Sequence, residues 1–480
     1  MIDLRILFSR RKNMTEINWK EIVADYKEDF LNDLIALLKI DSVRDDDAAT
    51  EEYPVGPGPV EALDAFLEIG KRDGFATESF DNWAGHIEYG EGEELMGILG
   101  HVDVVPVGSG WETDPFDPVI KEGRIYARGS SDDKGPTMAA YYALKIIRDL
   151  DLPVSKRARV IIGTDEESGW GCMDHYLKVA ETPDFGFSPD ANFPIINGEK
   201  GNVSIQLNFN GENGGDTRLV SFDSGLRPNM VPQDAEAIIK VENAEEVKTQ
   251  FEDFLADNPV KGELTIDGEQ VKLVMIGQAS HGAQPANGIN AATYLAAFLN
   301  QLPFEKNAKA FLHVTATYLH ENTDGQKLGI AHTDDLMGEL TSNFGIFKFA
   351  EGEEGFINAN MRFPQGTDGD KILAQFEETL AAEEVAVEIV GLSKEPHYVP
   401  KEDPLVETLL NVYHKQTGLD AHEMVIGGGT YGRLLERGVA FGAMFPDSID
   451  TMHQANEFMA IDDLMKAMAI YAESIYELIK

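Results

Sequence analysis

LMGILGHVDVV (residues 95–105) and ARVIIGTDEE (residues 158–167) decide the fold of this 480-residue chain. Each is a near-continuous apolar run, the pattern of a strand buried on both faces of a sheet. The first ends at His101 and Asp103, the second at Glu166 and Glu167. HIEYG (86–90) precedes the first run as a further strand, and TMAAYYALKIIRDL (137–150) between the two has the spacing of a helix. A helix near Cys172–Ala180 then leads to the short strand DFGFSPD (184–190). Strands alternating with helices predict a mostly parallel sheet flanked by helices, which gathers its chemistry beyond the carboxyl ends of its strands. Upstream, Trp19–Ile40 predicts one amphipathic helix. The proline- and glycine-rich EEYPVGPGPV (51–60) predicts irregular chain, followed by a helix over Glu61–Arg72.

The character changes around Gly198–Gly201. NVSIQLNF, RLVSF, AEAIIKV, GELTI and QVKLVMI alternate in period two between turn signals, as strands of a half-exposed antiparallel sheet do. Helices are expected near Ala291–Gln301 and Asp370–Ala382, with FINANMRFP and AVEIVGL as closing strands. From Pro404 a helix, MVIGGGTYGRLL, VAFGAMFP and a long terminal helix return to the earlier style. The expected class is α/β: a catalytic domain over 14–200 and 395–480, interrupted by an α+β lid domain over 201–394. Two domains suit a chain of this length. The basic opening MIDLRILFSRRKN (1–13) lacks the apolar core of a secretory signal and reads as an extension outside the fold.

Composition excludes several functions. With 84 acidic against 40 basic residues the net charge is −44, which repels nucleic-acid phosphates and anionic lipid, so neither is an expected partner. No window approaches the length of an apolar membrane span. Cys172 is the only cysteine, so no internal disulfide forms and a cytoplasmic setting fits. Its neighbours Gly171, Met173 and Asp174 supply no base or cation that would make it a nucleophile.

The chemistry lies in scattered acids and imidazoles. His101 and Asp103, two apart on a strand, share a face, so the carboxylate can hold the imidazole nitrogen not used for a metal. A structural histidine reads as well from that pattern alone. Asp132 and Asp133 in ARGSSDDKG sit where acids cap a helix, and equally where a bridging carboxylate belongs. Glu166 and Glu167 close a buried strand, which is costly unless cation, metal or solvent meets them. Asp190 ends the next strand, and His453 in TMHQANEF precedes the last helix. Taken together, His101, Asp132, Glu167, Asp190 and His453 form an N/O ligand set for two metal ions sharing one carboxylate, suited to zinc or manganese.

GHVDVVP, GRIYARGSSDDKG, TDEESG, SPDANFPIINGEKG, ASHGA, MVIGGGTYGR and TMHQANE, in this order, resemble the motifs of the M20 metallopeptidases, closest to the bacterial dipeptidase type with a long lid. The resemblance covers the chain from about Met14. It implies two divalent ions per chain, zinc first and manganese as the alternative. His101 and Asp190 would hold one, Glu167 and His453 the other, and Asp132 would bridge them. Asp103 would orient His101, and Glu166 would serve as general base and then acid toward a metal-bridging hydroxide. The peptide bond Asp132–Asp133 is expected to be cis.

In the lid, His281 of ASHGA would stabilise the oxyanion, although a histidine there also reads as a cap. Arg362 in NANMRFP and Asn229 in GLRPNMVP would bind the substrate's carboxylate or backbone, a task for which Arg's planar fork is suited. Gly428, Gly429 and Thr430 lie in a glycine turn whose N–H groups can approach an anion, without the lysine and spacing of a phosphate loop. The long lid implies a monomer acting on small dipeptides with a free N-terminus. The competing reading is an amidase for N-acyl amino acids such as succinyl-diaminopimelate, and a second is a metal-binding relative without activity.

Overall fold

The computed structural model describes residues 17–480, so the expected extension over 1–13 lies outside the described residues. Two compact units form, one reaching Gly198 and resuming over Tyr398–Met424 and Gly429–Lys480, the other comprising Glu199–His397 and Val425–Gly428.

The first unit is built on a nine-stranded sheet. Its middle is parallel: Arg157–Gly163, Leu95–His101, Phe185–Ser188 and Gly438–Ala440 lie side by side. Ala76–Phe80 and Ala84–Tyr89 extend it antiparallel on one edge. Every residue of Leu95–His101 is buried. Because side chains alternate across a strand, this run serves two cores at once. Ile98, Val160 and Ile162 face helices Lys134–Asp149 and Ile461–Ile479, while Leu99 and Ile161 face helix Gly171–Val179 through Cys172 and Tyr176. Among the described residues no helix is long and apolar enough to cross a membrane.

Two local expectations are corrected. The helix expected over Trp19–Ile40 is two, Trp19–Ala24 and Lys27–Leu38. The halves pack on different partners: Trp19 meets the ring of Tyr476, whereas Phe30 stands edge-on to Tyr142. The break lets each apolar stripe face its own neighbour. The helix expected from Glu61 begins at Pro57. Proline suits the first turn, where its missing N–H would have had no helical partner. Gly58 is required there, since a Cβ would sit 2.0 Å from the carbonyl oxygen of Asp41.

The second unit is an eight-stranded antiparallel sheet in the order Lys261–Asp267, Gln270–Ile276, Asp234–Lys240, Arg218–Ser224, Thr341–Ala350, Gly355–Phe363, Gly201–Phe209, Ala386–Lys394. Strand Gly201–Phe209 alternates between buried and half-exposed residues along its length. Its inward residues Val203, Ile205 and Leu207 join a core with helices Ala291–Leu299, Lys306–Val314 and Gly369–Thr379. The opposite face carries Asn202, Ser204, Asn358, Asn360 and Arg362, paired in register across neighbouring strands.

Candidate metal centre

The parallel strands set the site. His101 ends its strand level with Gly163, after which the chain turns through Asp165, Glu166 and Glu167. Strand Phe185–Ser188 delivers Asp190 beside them. Asp132 comes from the loop before helix Lys134–Asp149, and the Asp132–Asp133 peptide bond is cis. His453 comes from the segment before the terminal helix, with φ of 61°.

These side chains converge. Asp132 turns one oxygen toward each imidazole: Oδ1 lies 3.1 Å from His101 Nε2 and Oδ2 lies 2.8 Å from His453 Nε2. Asp190 Oδ2 is 3.7 Å from His101 Nε2, and Glu167 Oε2 is 3.2 Å from His453 Nε2. Donor atoms of His101, Asp132 and Glu167 lie within 4.8 Å of one another, as do those of His101, Glu166 and Asp190. Glu166 therefore stands among the ligand atoms as well as beside them.

The supports are as specific as the ligands. His101 Nδ1 sits 2.9 Å from the carbonyl oxygen of Asp103 and 3.5 Å from its carboxylate, which leaves Nε2 aimed at the acids. The Asp103 carboxylate also accepts the N–H of Glu166 and of Glu167, each at 3.1 Å. One aspartate thus holds both the imidazole and the turn carrying the acid pair. Asp133, fully buried, accepts from Thr137 Oγ1 at 2.5 Å and from the N–H of His101 at 3.3 Å. At Asp165, Arg44 and the N–H of Gly171 fix the far side of the same turn.

The electrostatics are those of a cage built for cations. Burial and Asp132 push Glu167 up to about 7, and burial with neighbouring acids pushes Glu166 well above the carboxylate range. Asp190 is raised by burial and Asp132. Hydrogen bonds to Asp132 and Glu167 lift His453 to about 11, and Asp103, Asp132 and Asp190 raise His101 against its burial. Burial works to raise Asp132, yet His101 and His453 hold it below the usual range. Among the described residues, buried Glu167 Oε1 has no hydrogen-bond partner. Crowded carboxylates, two imidazoles and an orphaned acid oxygen fit a divalent-ion site of hard and borderline donors.

His281, Asn229, Arg362 and Gly428 belong to the second unit, and Gly429 and Thr430 to the first. Asn229, whose carbonyl accepts the N–H of Gly282 at 2.8 Å, adjoins the His281 turn. His281 Nδ1 accepts the N–H of Ala283 at 3.1 Å, so the neutral ring carries its proton on Nε2. Burial and the nearby Arg362 lower its basicity. Arg362 donates from Nε to Asn360 Oδ1 (3.0 Å) and from Nη1 to the carbonyl of Gly427 (2.7 Å). In the glycine run only Gly427 is closely approached, where a Cβ would sit 2.8 Å from that of Ala283; at Gly428 it would meet Ile426 Cδ1 at an ordinary 3.7 Å. Thr430 Oγ1 accepts the N–H of Gly432, capping the short helix Tyr431–Leu434. Cys172 packs its thiol 3.0 Å from the buried Tyr431 hydroxyl, and burial pushes the thiol up to about 12, the state of an inert cysteine.

Sequence reasoning passes over Glu457, Arg128 and Lys134. Lys134 is fully buried and donates to the carbonyls of Leu37 (3.3 Å) and Ile40 (2.9 Å) at the end of helix Lys27–Leu38. Each lies inside a stretch whose neighbours draw attention, but a supporting residue has no spacing of its own.

The profile of Peptidase family M20/M25/M40 matches residues 97–477. A Beta-Ala-Xaa dipeptidase of Lactobacillus delbrueckii subsp. lactis is 48% identical over 467 residues, covering 97% of this chain and 99% of the relative. A putative dipeptidase of Staphylococcus epidermidis is 46% identical, covering 96% and 99%. Among solved structures, human carnosine dipeptidase 1 superposes with a TM-score of 0.57 at 13% identity, covering 96% of this chain and 98% of that one, and so shares the fold. With a family profile spanning most of the chain and near full-length relatives, this protein belongs to peptidase family M20/M25/M40.

Proposed function

We propose that this peptidase is a metal-dependent dipeptidase acting on short substrates with a free N-terminus, β-alanyl dipeptides among them. The observation that carries the reading is Asp132, with one carboxylate oxygen facing His101 and the other facing His453. That is the posture of a carboxylate shared between two cation sites. His101 and Asp190 would hold one ion and Glu167 and His453 the other. When bound, two zinc or manganese ions supply Lewis acidity, polarising the scissile carbonyl and making the attacking water more acidic.

The chain's own groups do the rest. Glu166 takes a proton from water as its oxygen bonds to the carbonyl carbon, then returns that proton to the amine nitrogen as the C–N bond breaks. Asp103 fixes Glu166 through its backbone N–H, so the base is placed before substrate arrives. His281, neutral with its proton on Nε2, is assigned as donor to the developing oxyanion. Arg362 and Asn229 are assigned to the substrate's carboxylate and backbone, with Gly428, Gly429 and Thr430 as further polar contacts. A guanidinium held in plane by Asn360 and Gly427 suits that carboxylate.

Chelation followed by re-metallation with zinc or manganese, then assay of an unblocked dipeptide, a β-alanyl dipeptide and an N-acetyl amino acid, tests this. Metal-restored turnover of the free dipeptides is expected. Faster turnover of the acylated compound would replace the dipeptidase with the amidase for N-acyl amino acids.

A further inference from the structure

Glu457 follows His453 in the segment before the terminal helix, and its side chain is entirely buried. Its carboxylate is surrounded by donors. Oε1 accepts the N–H of Ser131 (2.9 Å), the hydroxyl of Ser131 (3.0 Å) and the N–H of Asp132 (3.3 Å). Oε2 accepts Arg128 Nη1 (2.7 Å) and the N–H of Gly129 (3.2 Å). The carbonyl of Glu457 also accepts the N–H of Ala127, so the two segments are tied at both backbone and side chain.

Stability alone is a poor reason for this arrangement, because a buried ion pair is often matched or bettered by packed apolar residues. What it does that an apolar pair could not is fix the N–H groups of Gly129, Ser131 and Asp132 in the loop that ends at Asp132. The same segment carries His453, whose Nε2 faces Asp132 Oδ2. We propose that Glu457 is a positioning residue that locks the Asp132 loop to the His453 segment, so that the shared carboxylate and its second imidazole are preset for cations. The inference rests on the metal reading given above.

The isosteric Glu457→Gln is a sharp test. Every partner of the carboxylate is a donor, so the amide nitrogen meets an N–H or O–H whichever way it is turned. Apo-protein is titrated with zinc against a chromogenic chelator, with circular dichroism and melting of the apo form as the folding readout. Zinc affinity of E457Q is expected to fall on the order of 10–100-fold, the usual cost of losing support behind a ligand. kcat is expected to fall by more than KM rises, because the substrate's own contacts are untouched. Glu473→Gln serves as the comparison: Glu473 is another buried acid of the same unit, bonded to Lys415 and Gln416. It should cost stability and leave zinc affinity unchanged.

If E457Q does not fold, Ser131→Ala keeps the Glu457–Arg128 pair and removes one donor; a smaller, severalfold loss of zinc affinity then supports the proposal. Wild-type zinc affinity in E457Q, or in S131A where E457Q is unfolded, overturns it. So does an equal loss in E473Q. Failure of the unaltered chain to bind zinc at all overturns the metal reading itself, and is seen separately.

Discussion

The two units place their polar groups in opposite ways. In the first, charged side chains cluster beyond the ends of buried parallel strands, where His101, Glu166, Glu167 and Asp190 emerge from neighbouring runs. In the second, polar groups such as Asn360 and Arg362 lie along the face of an antiparallel sheet, held by neighbours on adjacent strands. Strand ends can crowd like charges because each arrives on a rigid element and the backbone beyond is free to turn. A sheet face spreads groups at fixed spacing, which suits gripping an extended ligand. The difference suits the proposed division of labour, in which metal binding and proton transfer belong to the first unit while His281, Arg362 and Asn229 of the second are assigned to the substrate.

That separation can be broken or sharpened experimentally. Glu166→Ala should lower kcat about 10²–10⁴-fold, the usual worth of a general base, while metal content by elemental analysis stays as in the unaltered protein. Near-normal turnover would take the proton transfer away from Glu166. His281→Ala should lower kcat about 10²–10³-fold, as loss of an oxyanion donor does. Metal content should again be unchanged; loss of metal on changing a residue of the second unit would end the division of labour.

The smallest effect concerns stability in the first unit. Burial, with Arg159 nearby, lowers His86 from 6.5 to about 3. Between those values the unfolded chain binds the proton and the folded one does not. His86 therefore contributes stability that is present above pH 6.5 and is lost as the pH falls toward 3. The slope is at most about 1.4 kcal/mol per pH unit. Denaturant midpoints of His86→Gln should fall less steeply over that window than those of the unaltered chain, with activity at neutral pH retained. An identical slope in both would show that His86 is protonated without cost.

Legibility followed the same divide. Apolar runs ending in acids mark strand ends plainly and pointed to His101, Glu166, Glu167 and Asp190, whereas Asp132 and His453, in loops before helices, were named through the family resemblance. In the second unit the helix Ala244–Asp257 carries a start signal, Asn243 capping the N–H of Glu246, yet its weakly apolar stretch drew no helical expectation. Strand Thr341–Ala350 is buried for most of its length and so lacks the alternation that marks its neighbours. The break between Trp19–Ala24 and Lys27–Leu38 was invisible because helical spacing continues across it, and only the separate partners Tyr476 and Tyr142 require it.

By itself the sequence determined the α/β alternation and the change of character near Gly198, which are written in local spacing, while the resemblance of its ordered motifs to a known family implied which acids and imidazoles belong together. Tertiary structure alone decided that Asp132 divides its oxygens between His101 and His453, that Asp103 holds the Glu166–Glu167 turn, and that Glu457 is ringed by donors. Those facts depend on distances of a few ångströms between segments remote in the chain, and no periodicity along a single strand or helix encodes them.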